Sequence, residues 1–480
     1  MKVAIRLLTI LSSIPFLILA GGFDSTDSQA ASAETDADII VTVAPVYAAL
    51  AALAGGERFP QGAHLMLIHG GNAEPLVAEF AASADANVSF DGQRVLFAGK
   101  KVVGDPWHIW ELTLKDHSVR ELIAGEDDAI RPFYLPAGRL VYARRVKNQL
   151  QLEAAGKDAA DALAPIDAQA GASVLRLSYM QGNAIPTDVL EDGRILFESW
   201  FPLGSGSTPE LFLVYSDGSG VESYRCDHGR ARWGGKQLAS GDVVFTHGTS
   251  LARFTSPLAH EVGITAPRAD YAGAIAETSS GAWIVSARTA GEAHFAMKLW
   301  RPGAERKAEE SALKSMFNLA GADVVEPVIV APRTRPKRHP SGLHDWSYAT
   351  MMALDARQSR EGDLKIAPAQ VRLETMDADG HAVVMGTAPV EADGSFFVRT
   401  PADRAIRFAL LDAFGSVVRA EHGWFWIRRG EQRYCVGCHT GPERSSVNRV
   451  PAVLLRTTTP VDLTGSASAD ATKAGAAGGK

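Results

Sequence analysis

Short runs of β-forming residues recur along the first two thirds of the chain, and each run follows a turn that contains glycine. Examples are FDGQRVLFAGK from Phe90, LPAGRLVYAR from Leu135 and LEDGRILFES from Leu190. Glycine adopts the positive φ that a tight hairpin needs, and the residues after it alternate in polarity or are wholly apolar, as strands do. The pattern therefore predicts a mainly β protein built from hairpins.

These hairpins recur with a long period. The turn glycines are 46, 55, 48 and 40 residues apart, at Gly92, Gly138, Gly193, Gly241 and Gly281. Periods of this length with two hairpins each indicate propeller blades, because blades stack radially and leave few open sheet edges. We predict a WD40-like or TolB-like β-propeller of six or seven blades over residues 60–335. A β-sandwich is the alternative, and the long period disfavours it.

The chain changes character at residues 331–341, where APRTRPKRHPS carries three prolines and four basic side chains. Proline disfavours regular strand pairing, so this stretch indicates a domain boundary. Short β runs separated by DADG, EADG and DAFG follow over residues 371–418. They predict a small antiparallel sandwich, and we assign residues 336–456 to this second domain. Residues 464–480 lack large apolar side chains and are predicted to be disordered.

The N-terminus has the pattern of a secretory signal. Lys2 and Arg6 precede an apolar run from Leu7 to Ala20, and Ala31-Ser32-Ala33 forms a small-residue cleavage site. We predict a signal peptide over residues 1–33 and, in a bacterium, export to the periplasm. A retained membrane anchor is the alternative. No later apolar stretch is long enough to span a bilayer, so no membrane span is expected after signal removal.

Composition and charge exclude one class of partner. The 480 residues are 46% hydrophobic and 21% charged, which is ordinary for globular domains, and the formal net charge is −7. The chain has no long basic run that would neutralise phosphates. We therefore expect no nucleic-acid partner.

The segment RYCVGCHTGPE, residues 433–443, holds Cys435 and Cys438 two residues apart with His439 directly after them. In an exported protein this spacing predicts covalent attachment of one haem c, with both thiols bound to the haem vinyl groups and His439 as the proximal iron ligand. A redox dithiol and a structural zinc site are the alternatives. The first lacks a surrounding βαβ pattern, and the second lacks a further Cys-x-x-Cys pair.

The flanks of the motif admit two interpretations each. The aromatic residues 424–426 (WFW) could pack along a haem edge or form a core strand. Arg428, Arg429 and Arg433 could pair with haem propionates or lie on a solvated face. Cys226 is either a buried free thiol or a residue that reaches the haem or a metal.

Three stretches together resemble the middle haem domain of the hydrazine synthase alpha subunit family: DGSFFVRTPADRAIRFALLDAFGSVV, GWFWIRRGEQRYCVGCHTGPE and NRVPAVLL. The resemblance extends over about residues 60–456 and implies a propeller followed by a domain with a c-type haem. In that family a tyrosine four residues beyond the motif histidine is implicated as an iron ligand. Glu443 occupies that position here and is a candidate iron ligand, although a carboxylate would behave differently from a phenolate. This departure, and the presence of a single Cys-x-x-Cys-His motif, argue against hydrazine synthesis.

The sequence therefore predicts an exported monohaem c-type redox protein, acting in electron transfer or in haem-based oxidoreduction of a small molecule. A haem-dependent oxidoreductase related to the hydrazine synthase alpha subunit is one form of this prediction. The alternative is a propeller-based periplasmic binding scaffold in which the haem is a passive electron relay. The expected partner is a periplasmic redox protein or a protein that docks on the propeller. The candidates for a sixth iron ligand are His344, His381, His422, Met351 and Met385.

Overall fold

The computed structural model describes residues 37–156, 174–180, 182–200, 208–225, 229–256, 259–303, 312–359, 362, 364–377, 380–421, 423–437 and 448–465. This part of the chain is mainly β and forms eight four-stranded sheets together with the short helix α1 (Ala452–Arg456). No helix among the described residues has the length and apolar character of a membrane span. The predicted signal peptide, residues 1–33, lies outside the described residues, as does most of the predicted tail (466–480).

Five of the sheets follow one another along the chain as propeller blades. The second blade contains β4 (Ala82–Val88), β5 (Arg94–Lys100), β6 (His108–Thr113) and β7 (Val119–Ile123), and the third β8 (Ala129–Leu135), β9 (Arg139–Val146), β10 (Gln149–Ala155) and β11 (Leu175–Arg176). The fourth contains β12 (Asn183–Val189), β13 (Ile195–Trp200), β14 (Glu210–Val214) and β15 (Glu222–Ser223). The fifth contains β16 (Arg232–Gln237), β17 (Val243–His247), β18 (Ser250–Phe254) and β19 (Val262–Gly263). The sixth contains β20 (Asp270–Glu277), β21 (Trp283–Arg288), β22 (Ala296–Trp300) and β23 (Lys314–Phe317).

The first blade joins the two ends of the propeller. It consists of β1 (Ile39–Ala44), β2 (His64–His69), β3 (Asn72–Pro75) and, innermost, the late strand β24 (Asp323–Ile329), which pairs antiparallel with β1. The innermost strands β24, β4, β8, β12, β16 and β20 contact one another in a closed ring. This pairing leaves no open edge between the first and last blades.

The described part of the chain thus forms a six-bladed propeller that extends from residue 39 to residue 329, whereas the sequence pattern placed its start at about residue 60. The difference is β1, whose sequence IIVTVA is buried along its whole length and is not preceded by a turn glycine. A strand without its own hairpin turn carries no repeat signal, so only its pairing with β24 reveals the blade.

The segment between β1 and β2 fills the centre of the ring. Leu53 and Phe59 are buried in one apolar cluster with residues of β4, β8, β12 and β24. The side-chain amide of Asn183, at the start of β12, donates a 2.8 Å hydrogen bond to the carbonyl of Leu53. The ring is therefore closed at the end where its innermost strands begin.

A buried ionic cluster lies beside this segment. Arg58 Nη2 lies 2.7 Å from Asp85 Oδ1 and 3.1 Å from both carboxylate oxygens of Glu326, and Arg131 Nη1 lies 3.1 Å from Glu326 Oε1. Burial by itself would lower the pKa of Arg58, but Asp85 and Glu326 raise it above its ordinary value. Asp85, Arg131 and Glu326 have φ values of 62°, 56° and 57° at bulges of β4, β8 and β24. Non-glycine residues adopt this region at a cost, and here all three of them carry charges of the buried cluster.

The proline-rich boundary segment crosses the other end of the ring. Its backbone N–H groups at Arg333 and Lys337 donate to carbonyls in the turns after β4 and β12, at 3.0 and 2.8 Å. A Cβ on Gly92 would lie 2.8 Å from a backbone nitrogen of this segment, and a Cβ on Gly193 would lie 2.2 Å from Lys337 O. Both glycines therefore serve the hairpin turn and the close approach of residues 331–340.

The remaining two sheets pack face to face as a β-sandwich. One has the order β27 (Ala382–Pro389), β26 (Gln370–Met376), β29 (Ile406–Leu411), β30 (Val417–Ala420), and the other the order β31 (Gln432–Cys435), β25 (Tyr348–Ala353), β28 (Phe396–Pro401), β32 (Val461–Asp462). A buried apolar cluster that includes Val371, Leu373, Val398 and Ile406 lies between them. The predicted sandwich is not purely antiparallel: β31 and β32 pair parallel with β25 and β28. These two strands return after long connections and not through hairpins.

Trp426 joins the sandwich to the propeller. Its side chain is fully buried in an apolar cluster built from the third and fourth blades, and its Nε1 donates a 2.8 Å hydrogen bond to Gly218 O. Arg428 donates from Nε to Asp217 O at 3.1 Å and forms a 2.8 Å ion pair with Asp403 of the sandwich. Since these partners belong to different domains, the segment before β31 is fixed to the fourth blade.

We expect Glu326→Gln to lower the free energy of unfolding by about 3–5 kcal/mol, because it removes the charge that compensates buried Arg58 and Arg131. Urea unfolding followed by circular dichroism measures the loss. The matched control is Glu79→Gln, whose exposed pair with Lys101 should contribute less than about 1 kcal/mol. Equal losses in the two variants would contradict the assigned role of the cluster.

We expect Trp426→Ala to lower the free energy of unfolding by about 3–5 kcal/mol, because it leaves a cavity between the blades and removes a bond between the domains. The control is Trp424→Ala, whose half-buried ring packs on Arg407 at 4.6 Å and should cost clearly less. Of the two variants, only Trp426→Ala should also be cleaved faster by proteases between the propeller and the sandwich. A Trp426→Ala protein as stable as Trp424→Ala would refute the docking role.

Candidate functional site

The first thiol of the predicted haem motif lies at the end of an edge strand. Cys435 closes β31, which pairs in parallel with β25 so that Cys435 is opposite Ala353. The Cys435 carbonyl accepts a 2.9 Å hydrogen bond from the N–H of Leu354. Its side chain is half-buried against the sandwich core. The backbone at the start of the motif is therefore held by main-chain bonds.

The other predicted site residues lie outside the described residues. Cys438, His439 and Glu443 belong to the segment 438–447, and Cys226 belongs to the segment 226–228. Within the described ranges, no group of three or more His, Cys, Asp or Glu side chains is arranged to hold a metal ion. Thioether attachment and iron coordination by these residues remain predictions.

Gly430 sets the path of the chain into β31. Its φ is 75°, its N–H donates 2.9 Å to Tyr348 O, and its carbonyl accepts from His344 N at 3.0 Å. A Cβ at this position would lie 1.8 Å from His344 O. The chain therefore requires glycine at position 430, both for the positive φ and for the close contact with His344.

Glu431 links the turn before β31 to the propeller, a role that no sequence motif indicated. Its Oε2 accepts 2.8 Å from the N–H of Arg428, and its Oε1 accepts 3.1 Å from the N–H of Gly220 in the fourth blade. Burial raises the pKa of Glu431 above its ordinary value, and the neighbouring Arg433 charge acts in the opposite direction. The carboxylate thus links the two domains next to the motif.

The three arginines of the flank have different surroundings. Arg428 is engaged by Asp403 and by the propeller, so docking and not haem binding accounts for it. Arg429 is exposed. Arg433 donates from Nη2 to Val221 O at 2.5 Å, while its Nη1 is buried and has no hydrogen-bond partner in the described part of the chain.

The aromatic residues of the flank also differ in their surroundings. Trp426 takes the core role, inside the interface between the blades. Phe425 packs on the edges of both the sandwich and propeller clusters and lies 5.2 Å beneath the Arg433 guanidinium. The sequence of the flank alone does not distinguish an aromatic ring that would face a haem from one that faces a second domain.

The candidates for a sixth iron ligand have two kinds of surroundings. Met351 is buried in the sandwich core, and Met385 is partly buried against the same apolar cluster. His381 is exposed, and His344 is exposed and stacks on Trp346 with ring centres 4.3 Å apart. His422 lies outside the described residues.

The described residues fit a covalent haem in two respects. A half-buried thiol stands at the end of a fixed strand, and a buried guanidinium N–H with no partner lies two residues before it. Thiols form the thioether bonds of haem c, and haem propionates need cationic hydrogen-bond donors. The donor set present in this sequence therefore suits such a group.

Residues 350–440 match the family described as the hydrazine synthase alpha subunit middle domain. The matched range begins in β25, includes the flank 424–433 and extends across the Cys-x-x-Cys-His motif. The fold is similar to that of a chain of Kuenenia stuttgartiensis hydrazine synthase, with a TM-score of 0.72 and 15% identity over 90% of this chain and 73% of that chain.

Other solved structures match more weakly. A chain from a nidogen/laminin complex gives a TM-score of 0.42 at 8% identity, over 62% of this chain and all of that chain. The propeller domain of a Pyrococcus furiosus protease gives 0.33 at 13% identity, over 54% and 88%. Both scores are too low to bear on the fold. None of the curated proteins compared matches the chain.

The family match coincides with the sandwich and the motif, and the likeness of fold takes in the propeller as well. Residues 350–440 of this chain therefore match the hydrazine synthase alpha subunit middle-domain family, and they follow a six-bladed propeller.

Proposed function

We propose that the chain is an exported, periplasmic redox protein that binds one haem c through Cys435 and Cys438, with His439 as the proximal iron ligand. The observation that carries this proposal is the fixed position of Cys435 at the end of β31, inside the range that matches the family. The bound haem would supply a one-electron ferrous–ferric couple.

The protein's own residues would hold this group in a defined place. Main-chain bonds from β25 fix the strand that ends in Cys435, and Gly430 and Glu431 fix the turn before it. Since Glu431 also bonds to the fourth blade, movement of the motif relative to the propeller is restricted. A redox centre benefits from such rigidity because little has to reorganise when the charge changes.

The closed ring bears on the role of the propeller. The segment 45–63 fills one end and residues 331–340 bond to the turns of two blades at the other, so described residues occupy both ends of the ring. We propose that the propeller is a rigid base for the sandwich and a surface on which a periplasmic redox partner docks. This arrangement disfavours a substrate funnel through the ring.

Glu443 bears on the type of chemistry. A carboxylate at the position where the family places a tyrosine is an anionic oxygen donor, which would stabilise ferric haem iron more than ferrous haem iron. We propose that the ferrous site admits a small molecule and that the protein is a haem-dependent oxidoreductase distinct from a hydrazine synthase.

The haem attachment is tested by expressing the full chain with a cytochrome c maturation system. We expect one haem per chain in the pyridine haemochrome spectrum, retained by the polypeptide after acid–acetone extraction. The Cys435→Ala/Cys438→Ala variant should retain none, because no thioether bond can form. Cys226→Ala is the matched control and should retain a full haem. Colourless wild-type protein would refute the proposal.

The open iron position is tested by adding carbon monoxide to the reduced holoprotein. We expect the Soret band to shift, and Glu443→Ala to bind carbon monoxide at least as tightly, because the carboxylate that is removed would favour the ferric state. Nitrite and hydroxylamine are the further probes. Unchanged spectra would indicate a six-coordinate iron and assign the protein to electron transfer.

A further inference from the structure

Arg433 and Cys435 lie on the same side of β31. The strand alternates, with Gln432 and Tyr434 exposed and Arg433 and Cys435 half-buried. Side chains two residues apart on a strand point to the same face, about 6.6 Å apart along the chain. Within β31, Arg433 is thus the cationic residue on the face that carries the first thiol of the motif.

Two contacts hold this guanidinium in place. Its Nη2 donates to Val221 O at the start of the outer strand of the fourth blade, and its plane lies 5.2 Å from the ring centre of Phe425. The Arg433 charge acts to lower the pKa of Glu431, but both Glu431 oxygens already accept backbone N–H groups. The two contacts that orient Arg433 are therefore a carbonyl and an aromatic ring, neither of which is charged.

One N–H group of Arg433 remains without a partner. Nη1 is buried, and none of the described residues accepts a hydrogen bond from it. A buried donor that is left unpaired costs about 1–3 kcal/mol, and more when it is charged, so such a group indicates a missing acceptor. Arg428 has carboxylate and carbonyl acceptors and Arg429 is exposed, so neither shares this feature.

We propose that Arg433 Nη1 donates a hydrogen bond to a propionate carboxylate of the haem attached through Cys435 and Cys438, an inference that rests on the proposed haem attachment. Because Val221 holds the other end of the guanidinium, the propeller takes part in orienting the haem. A fixed positive charge beside a haem favours the ferrous state, which carries one positive charge fewer than the ferric state.

The test compares the wild-type holoprotein with Arg433→Gln, Arg433→Lys and the control Arg429→Gln. At a fixed ambient potential, we expect Arg433→Gln to lower the ferrous-to-ferric ratio about tenfold, equivalent to about 59 mV for a one-electron couple. Arg433→Lys should remain close to wild type because it keeps the charge. Arg429→Gln should change little because solvent screens its charge.

A second measurement uses variants that keep the charge and therefore fold more readily. The propionate bending band in the resonance Raman spectrum reports hydrogen bonds to the propionates. It should shift in Arg433→Lys and stay unchanged in Arg429→Lys.

The outcomes separate this inference from the haem attachment itself. If the wild-type protein carries no covalent haem, the proposed function itself is refuted. Full haem loading with the same potential in Arg433→Gln and Arg429→Gln, or with the same Raman band in the two lysine variants, leaves the attachment intact and overturns the role of Arg433. A lower ratio or a shifted band confined to position 433 supports the role.

Discussion

The burial of Trp426 between the third and fourth blades is the interaction on which the rest of the site depends. It places an indole from the sandwich inside the apolar interior of the propeller and adds one hydrogen bond to Gly218 O. Burying an aromatic side chain of this size contributes several kcal/mol. The chain from Trp426 to Cys435 is short, and Arg428, Glu431 and Arg433 bond to the same blade along it. The position of the motif is thereby set by the propeller as much as by the sandwich.

The same packing changes the role that a propeller would ordinarily have. Many propellers bind ligands in a central channel, but here the segment 45–63 and the ionic cluster around Arg58 occupy it. The boundary segment 331–340 covers the opposite end before it enters the sandwich. The described residues thus occupy both ends of the ring.

The likeness to hydrazine synthase concerns the fold and does not extend to the reaction. Domain order and fold agree over 90% of the chain at 15% identity, a level at which the fold is kept while the site is free to change. If Glu443 takes the place of the family's tyrosine beside a bound haem, its carboxylate would change the chemistry of the iron on a similar scaffold. The docking residues around Trp426 belong to that scaffold.

The sequence by itself determined the blade hairpins, the boundary at the prolines and the composition of the Cys-x-x-Cys-His motif, because turn glycines, strand periodicity and ligand spacing are local properties. It did not reveal β1, since a buried strand without a turn is recognised only by its partner β24. The sequence also did not reveal that Trp426 and Phe425, or Arg433 and Arg428, have different roles. Neighbouring residues of one chemical type differ in role only because the propeller contacts some of them and not others. Contacts between segments far apart in sequence decided which flank residue docks on the propeller. They also decided which guanidinium has a nitrogen without a partner among the described residues, and why position 430 requires glycine. Such contacts depend on three-dimensional packing, which no local pattern encodes.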